Sequence, residues 1–329
     1  MTDFLKTSDH SLATLSGLID KALEIKSGAV SGKPLDGKSV ALVFFNPSLR
    51  TRASMQIGVY DLGGNPVILE PGSTSWSLEH REGVVMDGDK TEHLKEFVRV
   101  LERYVSAIGV RTFAELKDWN VEQADPILNA FAEYASVPVI NLESAMHHPC
   151  QAMADMMTIR ERFGTEKKKV LLTWAWHPKP LPMAVPNSFA LASAQFGHDL
   201  RIAHPEGYDL DDELIKEIQQ YAGGSVEFTN DVDAAFDGVD VVYAKSWGGR
   251  SFYGNGAADV AHRAQFRNDW IVDEKKMAAT NEGIFMHCLP VRRNVIVTDG
   301  VIDSANSVVI DEAENRLHVQ KAIMAEVIK

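Results

Sequence analysis

The run Ser48-Leu49-Arg50-Thr51-Arg52 places two hydroxyls and two guanidiniums close together. It follows an apolar run, residues 40–45, that predicts a buried parallel strand, and it precedes a helical pattern over residues 51–62. Backbone N–H groups point outward at the start of a helix, and the helix dipole favours an anion there. Arginine adds a two-pronged contact to phosphate oxygens. The run therefore predicts a phosphate site, and the alternative is a plain serine cap with solvated arginines.

Further polar side chains come directly after two other predicted strands. Arg111 ends a strand near 107–111, and His148 and Gln151 follow a strand near 138–141. Because the carboxyl ends of parallel strands share one edge of a sheet, these groups are expected to converge with the phosphate site. A guanidinium and an imidazole directed at one carbonyl oxygen would stabilise a tetrahedral oxyanion. A purely structural histidine is the alternative.

The run His287-Cys288-Leu289-Pro290 ends an apolar strand in the second half of the chain. Pro290 lacks an N–H donor and holds the chain extended, so nearby carbonyl groups could face a ligand. The Cys288 thiol is disfavoured as a nucleophile, since no separate base can be assigned and a free thiol is commonly just buried.

Composition limits the class of protein. The chain has 329 residues, enough for two domains, and a formal net charge of −13. This charge disfavours nonspecific binding to nucleic acid or to an anionic membrane. The two cysteines form no CxxC motif and fit a reducing cytoplasm. The first six residues lack the apolar core of a signal peptide, and no apolar run approaches the roughly 20 residues of a membrane helix.

No metal or organic cofactor is predicted. His147 and His148 are adjacent rather than at the spacing of helical ligands, and no HExxH motif is present. The pairs Gly223-Gly224 and Gly248-Gly249 form neither a GxGxxG fingerprint nor a phosphate loop. A nicotinamide-dependent oxidoreductase is therefore disfavoured.

Strand-like and helix-like segments alternate along the chain, which predicts an α/β fold with two doubly wound parallel-sheet domains joined by interdomain helices. The predicted domains are residues 1–150 and 151–311, and a C-terminal helix over about 312–329 is expected to pack back on the first. The predicted strands lie near 40–45, 65–69, 107–111, 138–141, 169–174, 199–204, 225–229, 240–244, 284–288 and 307–310. The predicted helices lie near 51–62, 92–104, 122–134, 151–163, 184–196, 211–222, 259–266 and 312–328.

The segment 70–91 is expected to be a long loop. Loops of this length inside compact domains are usually functional or disordered. Trp76 lies in it and is either a binding anchor or folded back on its own domain.

The chain resembles the aspartate/ornithine carbamoyltransferase superfamily in four motifs and over nearly its whole length. The motifs are the Ser48–Arg52 run, Arg111, His148-Pro149-Cys150-Gln151 and His287-Cys288-Leu289-Pro290. The resemblance implies two α/β domains, with carbamoyl phosphate bound mainly by the first and the amine substrate by the second. It also implies a homotrimer with active sites shared between subunits.

The resemblance also implies roles for single residues. Arg111, His148 and Thr51 would be catalytic and would stabilise the carbamoyl oxygen, while Trp76 would reach the phosphate bound by a neighbouring subunit. Gln151 and the backbone carbonyls of Cys288 and Leu289 would hold the carbamoyl amide. The full implied carbamoyl phosphate site is Ser48, Leu49, Arg50, Thr51, Trp76, Arg111, His148, Pro149, Cys150, Gln151, Cys288, Leu289 and Arg316.

Within the superfamily the chain is similar to the N-acylornithine branch. It lacks the Ser-Met-Gly motif of ordinary ornithine enzymes and carries three motifs like those of the branch: Met86–Asp89, Thr173–Pro178 and Tyr243–Trp247. The residues implied to bind the acylated amino acid are Glu143, His177, Lys245 and Arg292. Ion pairing at the surface or between domains is the alternative for Lys245 and Arg292.

Two positions bear on the acyl group. The resemblance implies glutamate at the position of Thr91 in the acetyl enzymes and proline in the succinyl enzymes, so Thr91 matches neither. It also implies that the acetyl enzymes can carry a modified lysine at the position of Ile296. Thr91 would not repel a succinyl carboxylate, and Ile296 cannot be carboxylated. The run over residues 314–321 is more similar to the acetyl enzymes. N-succinyl-L-ornithine is the expected substrate, giving N-succinyl-L-citrulline and phosphate in arginine biosynthesis, and N-acetyl-L-ornithine is the alternative. A catalytically silent module that binds a phosphorylated metabolite is the alternative of another class.

Overall fold

The computed structural model of the chain describes residues 3–30, 32–221 and 223–329. Met1, Thr2, Ser31 and Ala222 lie outside the described residues, so the predicted domain 1–150 and the predicted helix near 211–222 are described without them. Within the described part of the chain, no helix is both long enough and apolar enough to cross a membrane.

Strands and helices alternate through most of the chain. The strands are Ser39–Phe44 (β1), Asn65–Leu69 (β2), Leu78–Glu79 (β3), Glu92–His93 (β4), Ala107–Arg111 (β5), Val139–Glu143 (β6), Lys169–Trp174 (β7), Asp199–Ala203 (β8), Val226–Thr229 (β9), Val241–Lys245 (β10) and Ile284–Met286 (β11). The α-helices are Leu12–Ser27 (α1), Arg50–Asp61 (α2), Leu94–Leu101 (α3), Trp119–Glu122 (α4), Pro126–Tyr134 (α5), Pro149–Phe163 (α6), Ala184–Gln195 (α7), Asp212–Gln220 (α8), Gly256–Arg263 (α9), Glu274–Ala278 (α10), Asp299–Ile302 (α11) and Val309–Val327 (α12).

The chain divides into two compact units. Unit 1 comprises Met1–Ala114, Asn120–Cys150 and Arg316–Lys329, and unit 2 comprises Glu115–Trp119 and Gln151–Asn315. The chain passes between the units after Ala114 and within helices α4, α6 and α12. The sequence-based domains are named for the ligands that they are expected to bind, and that assignment stays a prediction.

Unit 1 is built on a parallel sheet in the strand order β2-β1-β5-β6. Its core packs the buried strands β1 and β5 against α3 and α5. The Phe131 ring on α5 meets Phe45 and Phe97 edge-on. Because β1 has β2 on one side and β5 on the other, the strand order reverses beside β1. Ligands of such folds bind at the carboxyl ends of the strands that flank this reversal.

Unit 2 is also built on a parallel sheet whose strand order reverses. Its strands are parallel in the order β11-β10-β7-β8-β9, and the order reverses between β7 and β10. Every residue of α7 is buried, as expected for a helix that covers a parallel sheet. The prediction of an α/β fold with parallel sheets is confirmed.

One predicted strand is wrong. The segment 307–310 begins helix α12 at Val309, and only Ser307 makes an isolated bridge, to Phe285. The run Val308-Val309-Ile310 is β-branched, which predicts a strand. Asp311 and Glu312 follow in the first helical turn, where carboxylates interact favourably with the helix dipole. The local signal of these acidic residues and the packing of the helix outweigh the strand propensity.

Candidate active site

The predicted phosphate turn lies between β1 and α2, beside the reversal of strand order in unit 1. Helix α2 begins at Arg50 with Leu49 as its N-cap residue, and the Leu49 side chain is exposed. The Ser48 hydroxyl oxygen accepts a hydrogen bond from the Thr51 N–H at 3.2 Å. The serine-cap contact of the alternative interpretation is therefore present. In this contact the Ser48 oxygen acts as an acceptor, so the Ser48 O–H can still donate a hydrogen bond to an anion.

The two arginines of this turn differ in their contacts. Arg52 Nη1 donates to the Glu70 carboxylate at 2.6 Å, so this guanidinium already has an anionic partner. Arg316 Nη2, from the unit 1 part of α12, donates to the Thr51 hydroxyl oxygen. Both Thr51 and Arg316 are buried. The structure thus brings Arg316 to the start of α2, and it pairs Arg52 with a carboxylate.

Arg111, His148 and Glu143 form one polar group at the same edge of the unit 1 sheet. Arg111 Nη1 donates to Glu143 Oε2, and His148 Nε2 lies 3.5 Å from the same carboxylate oxygen. All three side chains are buried. The buried Nε of Arg111 has no hydrogen-bond partner among the described residues. The guanidinium therefore keeps a donor for a ligand oxygen.

The turn that precedes His148 is held by a buried aspartate that the sequence analysis did not single out. Asp125 Oδ1 accepts from the N–H groups of Ala145 and Met146, at 2.7 and 3.3 Å, and Oδ2 accepts from the Ser144 hydroxyl at 2.7 Å. Burial raises the pKa of Asp125 to about 6, although these hydrogen bonds oppose the rise. Asp125 fixes the path of the chain into α6, which begins at Pro149.

The thiol of Cys150 is buried behind this turn. Its Sγ donates to the Asn141 carbonyl oxygen at 3.5 Å. Burial raises the pKa of Cys150 to about 12, so the group is a thiol rather than a nucleophilic thiolate at neutral pH.

The segment 70–91 contains more structure than a plain loop. Strand β3 pairs in parallel with β4, just after the segment. The Trp76 side chain is 56% exposed, and its Nε1 donates to the Glu92 carboxylate at 2.7 Å. The buried Glu79 carboxylate pairs with Arg81 at 2.8 Å and with Lys90 at 3.4 Å. These contacts fix the segment on both sides of the exposed Thr91.

Three nitrogen-bearing side chains come together in unit 2 beside the reversal of strand order. Lys245 ends β10, and His177 follows β7. Arg292 Nε donates to His177 Nε2 at 2.9 Å, while His177 Nδ1 lies 2.8 Å from the Lys179 carbonyl oxygen. Because Arg292 Nε donates to it, Nε2 carries no proton, so the imidazole is neutral with its proton on Nδ1; the Lys179 N–H also lies 3.1 Å from Nδ1.

The charges around His177 favour an anion. Burial lowers the pKa of His177, and the positive charges of Arg292, Lys245 and Arg263 lower it further. Lys245 and Arg292 have no carboxylate partner within 4.0 Å among the described residues, whereas the adjacent Arg293 pairs with Asp299 and Asp303. The group is suited to bind a carboxylate.

A buried ion pair holds the loop that contains His177 and the loop that follows Lys245. The Arg263 side chain is fully buried, and its guanidinium pairs with Asp259 on the same helix. It donates to the carbonyl oxygens of His177, Lys179 and Trp247 at 3.0 to 3.2 Å. A broken buried pair of this kind is strongly destabilising, so the loops on either side are fixed together.

A second polar group in unit 2 contains Gln151 and residues 287–290. Gln151 Nε2 donates to the carboxylates of Asp155 and Glu312, at 2.8 and 3.1 Å, and the buried Oε1 of Gln151 has no hydrogen-bond partner among the described residues. The peptide between Leu289 and Pro290 is cis. Cys288 is buried.

Ile296 lies near Arg292 rather than on an exposed surface. Its side chain is buried, and its N–H donates to the Arg292 carbonyl oxygen at 2.9 Å. Within residues 3–30, 32–221 and 223–329, no group of three or more His, Cys, Asp and Glu side chains is arranged to hold a metal ion.

The sequence analysis missed the residues that hold the site from behind. They lie on helices or in turns, where an acidic or basic residue usually indicates an exposed surface. The Asp259–Arg263 pair has the i,i+4 spacing of an ordinary surface ion pair, and only the fold buries it. The missed residues are Asp125, Asp155, Asp259, Arg263 and Glu312.

Two family models match the chain. The model of the carbamoyl-P binding domain of aspartate/ornithine carbamoyltransferase matches residues 2–161. The model of the Asp/Orn binding domain of aspartate/ornithine carbamoyltransferase matches residues 182–327. Together the two matches cover most of the chain.

Curated relatives match over almost their full length. The chain is 49% identical to the N-acetylornithine carbamoyltransferase of Xanthomonas campestris pv. campestris, over 99% of this chain and 97% of the relative. It is 41% identical to the N-succinylornithine carbamoyltransferase of Bacteroides thetaiotaomicron, over 94% of each chain. The predicted resemblance to the N-acylornithine branch is confirmed.

Solved structures give the same result. A crystal structure of acetylornithine transcarbamylase complexed with acetylcitrulline matches with a TM-score of 0.97 at 48% identity, covering 100% of both chains. Structures of N-acetyl-L-ornithine transcarbamylase variants match equally well. In these variants one glutamate is replaced by alanine, proline, valine or serine, and each is complexed with carbamyl phosphate and N-succinyl-L-norvaline.

The raised pKa of Asp125 predicts a pH-dependent stability. Between the ordinary aspartate pKa of 3.8 and about 6, the folded protein holds a proton that the unfolded chain has released. The stabilising contribution of this group is therefore full below pH 3.8 and lost as the pH rises through 6. We expect the Asp125→Asn variant, which cannot titrate there, to gain about 1–2 kcal/mol relative to the native protein between pH 4.5 and 7.5.

Urea unfolding midpoints of both proteins at the two pH values measure this difference. Replacement of the exposed Asp36 by asparagine is the matched control and should leave the pH dependence unchanged. A stability difference between Asp125→Asn and the native protein that is the same at both pH values would contradict the prediction.

Proposed function

This chain belongs to the aspartate/ornithine carbamoyltransferase family, in its N-acylornithine branch, and from that premise we propose that it carbamoylates the δ-amine of N-acetyl-L-ornithine in arginine biosynthesis. The donor is carbamoyl phosphate, and the products are the N-acylcitrulline and phosphate. The observation that carries the chemistry is the group of Arg111, His148 and Glu143, at the edge of the unit 1 sheet where the phosphate turn also lies.

The proposed reaction is an acyl transfer without a covalent enzyme intermediate. The neutral δ-amine attacks the carbonyl carbon of carbamoyl phosphate, a C–N bond forms, and the C–O bond to the phosphate breaks. Arg111, His148 and Thr51 stabilise the developing oxyanion, since preorganised donors interact most strongly with the charge of the transition state. The leaving phosphate is the candidate acceptor of the amine proton.

The phosphate and the carbamoyl amide of carbamoyl phosphate have separate contacts in the proposal. The leaving phosphate is held by Ser48, Leu49, Arg50, Thr51 and Arg316, in unit 1. The carbamoyl amide donates to Gln151 Oε1 and to the carbonyls of Cys288 and Leu289, in unit 2. Trp76, Pro149 and Cys150 complete the proposed carbamoyl phosphate contacts.

The anion site of unit 2 supports the acylated amino acid as second substrate. Lys245 and Arg292 supply the positive charges for its carboxylate, and neutral His177 orients Arg292 through the contact at 2.9 Å. Glu143 stays a predicted contact of this substrate, although its carboxylate also orients Arg111 and His148. Substrate positioning supplies much of the rate in reactions of this kind.

The two candidate acyl groups are supported by different observations. The sequence analysis favoured N-succinyl-L-ornithine, but the relatives support the acetyl alternative better, because an acetylornithine enzyme is 49% identical and a succinylornithine enzyme is 41% identical. N-acetyl-L-ornithine is therefore the first candidate.

Two residues favour N-succinyl-L-ornithine as the second candidate. By the family resemblance, the small, neutral Thr91 occupies the position of a glutamate in the acetyl enzymes, and Ile296 occupies the position of a lysine that they can carry in modified form. Variants of an acetylornithine enzyme with a glutamate replaced by a neutral residue are complexed with N-succinyl-L-norvaline. Removing a negative charge favours a ligand that carries an additional carboxylate.

The proposed assembly is a cytoplasmic homotrimer with shared active sites. Trp76 is exposed, and Val85 and Met86 in the same segment are also exposed large apolar side chains. We expect these side chains to contact a neighbouring subunit. In the trimer, Trp76 reaches the phosphate bound by a neighbouring subunit.

A side-by-side assay tests the function. The purified protein and carbamoyl phosphate are incubated with N-acetyl-, N-succinyl- or free L-ornithine, and the citrulline-type product is quantified. We expect turnover with at least one acylated ornithine and little with the free amino acid. The absence of product from all three would remove the transferase proposal and favour the silent binding module.

Loss of the phosphate contact tests the site and its sharing. Arg50→Ala should lower kcat/KM at least about a hundredfold, since charge-assisted contacts to phosphate are strong, and the circular dichroism spectrum should be unchanged. Trp76→Ala should also lose activity.

If the active sites are shared between subunits, the two variants should complement each other. Mixed trimers, formed by reversible dissociation of Arg50→Ala with Trp76→Ala, should regain activity, because some sites combine a native Arg50 with a native Trp76 from another subunit. Activity no higher than in the separately treated variants would contradict the sharing of Trp76.

Position 91 tests the choice of acyl group. Thr91→Glu should lower kcat/KM for N-succinyl-L-ornithine at least about tenfold relative to N-acetyl-L-ornithine, because the new carboxylate repels the succinyl carboxylate. Thr91→Gln is the matched control of nearly equal size without charge. Equal changes in the substrate ratio for both variants would exclude electrostatic selection at this position.

A further inference from the structure

Two buried carboxylates bind the same amide group in unit 2. Gln151 Nε2 donates to Asp155 Oδ1 at 2.8 Å and to Glu312 Oε1 at 3.1 Å. The Gln151 side chain is 1% exposed, and those of Asp155 and Glu312 are 0% exposed. Both hydrogens of the amide NH₂ are therefore used by the protein itself.

This contact fixes which way the glutamine amide points. A reversed amide would place the oxygen of Gln151 against two carboxylates, and neither can donate a hydrogen bond when ionised. The amide is thus held with Oε1 directed away from Asp155 and Glu312. This buried oxygen has no hydrogen-bond partner among the described residues, although buried polar atoms almost always have one. Gln151 Oε1 is therefore available to accept a hydrogen bond from a ligand.

The second oxygen of Glu312 holds another part of the site. Glu312 Oε2 accepts from the N–H of His287 at 2.9 Å, and His287 Nδ1 accepts from the N–H of Leu289 at 2.9 Å. Leu289 has a φ of +54°, in the left-handed region that non-glycine residues rarely adopt. The hydrogen bonds from the His287 N–H to Glu312 Oε2 and from the Leu289 N–H to His287 Nδ1 hold this backbone, and with it the direction of the carbonyls of residues 288 and 289.

The position of Glu312 is itself secured. Asn315, one helical turn further along α12, donates from Nδ2 to the Thr158 hydroxyl at 2.9 Å and to the Glu161 carboxylate at 2.6 Å. Thr158 and Glu161 lie on α6, the helix that carries Gln151. The two helices are therefore joined at two points in unit 2, so the Glu312 carboxylate cannot move independently of Gln151.

We propose that Glu312 is a positioning residue that makes the site selective for a group bearing N–H donors. One carboxylate orients the Gln151 oxygen through Oε1 and the carbonyls of residues 288 and 289 through Oε2. The chemical class read by these acceptors is a primary amide next to a phosphate, as opposed to an acyl phosphate that ends in a methyl group. The inference rests on the proposed function, because it assumes that these acceptors meet the carbamoyl NH₂.

The test compares carbamoyl phosphate with acetyl phosphate, in which a methyl group replaces the NH₂. A site that hydrogen-bonds a ligand strongly rejects an analogue lacking the donor. Dissociation constants of both compounds are measured by calorimetry with the full chain, for the native protein and for Glu312→Gln. We expect the native protein to prefer carbamoyl phosphate at least about tenfold, and the variant to keep less than about a third of that preference.

The glutamine variant preserves shape and removes the constraint. Its oxygen can still accept from the His287 N–H, and its new NH₂ then faces the NH₂ of Gln151. The Gln151 amide thereby loses one of its two carboxylate acceptors and is held only by Asp155. The exposed Glu314, two residues along the same helix, gives the matched control Glu314→Gln, which should keep the native preference. Inorganic phosphate, which has no amide, should bind the native protein and Glu312→Gln equally.

The outcomes distinguish a failure of the proposed function from a failure of the role of Glu312. A native protein that binds neither carbamoyl phosphate nor phosphate overturns the proposed function. Binding of carbamoyl phosphate with no preference over acetyl phosphate, or an undiminished preference in Glu312→Gln, overturns only the role of Glu312. Equal weakening of all three ligands in the variant indicates a merely structural role and also overturns it. Should Glu312→Gln fail to fold, Glu312→Asp, which keeps the charge but shortens the reach, has to show the same loss of preference.

Discussion

A buried carboxylate must be surrounded by donors, and this requirement organises the candidate site. An ionised group away from water is costly unless charged or hydrogen-bonding partners replace the water. In unit 1 Glu143 meets Arg111 and His148, and Asp125 meets the turn before α6. In unit 2 Asp259 meets Arg263, and Glu312 meets Gln151 and the backbone of His287. Each carboxylate holds a side chain or a backbone segment of the candidate site in place.

The same requirement explains how an acidic chain can bind acidic substrates. The net charge of −13 repels anions on average. Locally, Arg52 and Arg293 are paired with carboxylates, whereas Lys245 and Arg292 have none within 4.0 Å among the described residues. In unit 2 the positive charges available to a substrate carboxylate are therefore those without a neighbouring carboxylate. Proximity in the sequence does not reveal them, since Arg292 and Arg293 are adjacent.

The sequence predicted the sheets well because parallel buried strands are continuous apolar runs, a local signal. It also placed Arg111 and His148 at one edge, since the carboxyl ends of parallel strands lie together. It could not show that Arg52 is paired, because the partner of Arg52 is Glu70, at the end of another strand. The role of Glu312 was hidden for the same reason: Gln151 is distant in sequence. The strand expected at 307–310 was wrong because its β-branched residues belong to a helix.

Helix α12 has a consequence for how the chain acquires its structure. Its residues from Arg316 onward belong to unit 1, where Arg316 contacts Thr51 and Lys321 pairs with Asp61 at 3.1 Å, yet they follow all of unit 2 along the chain. A ribosome therefore synthesises the last piece of the first unit after the second unit is complete. Domains generally fold as units during synthesis, N-terminal ones first. Here the N-terminal unit has to wait, and unit 2 is the first whose residues are all available.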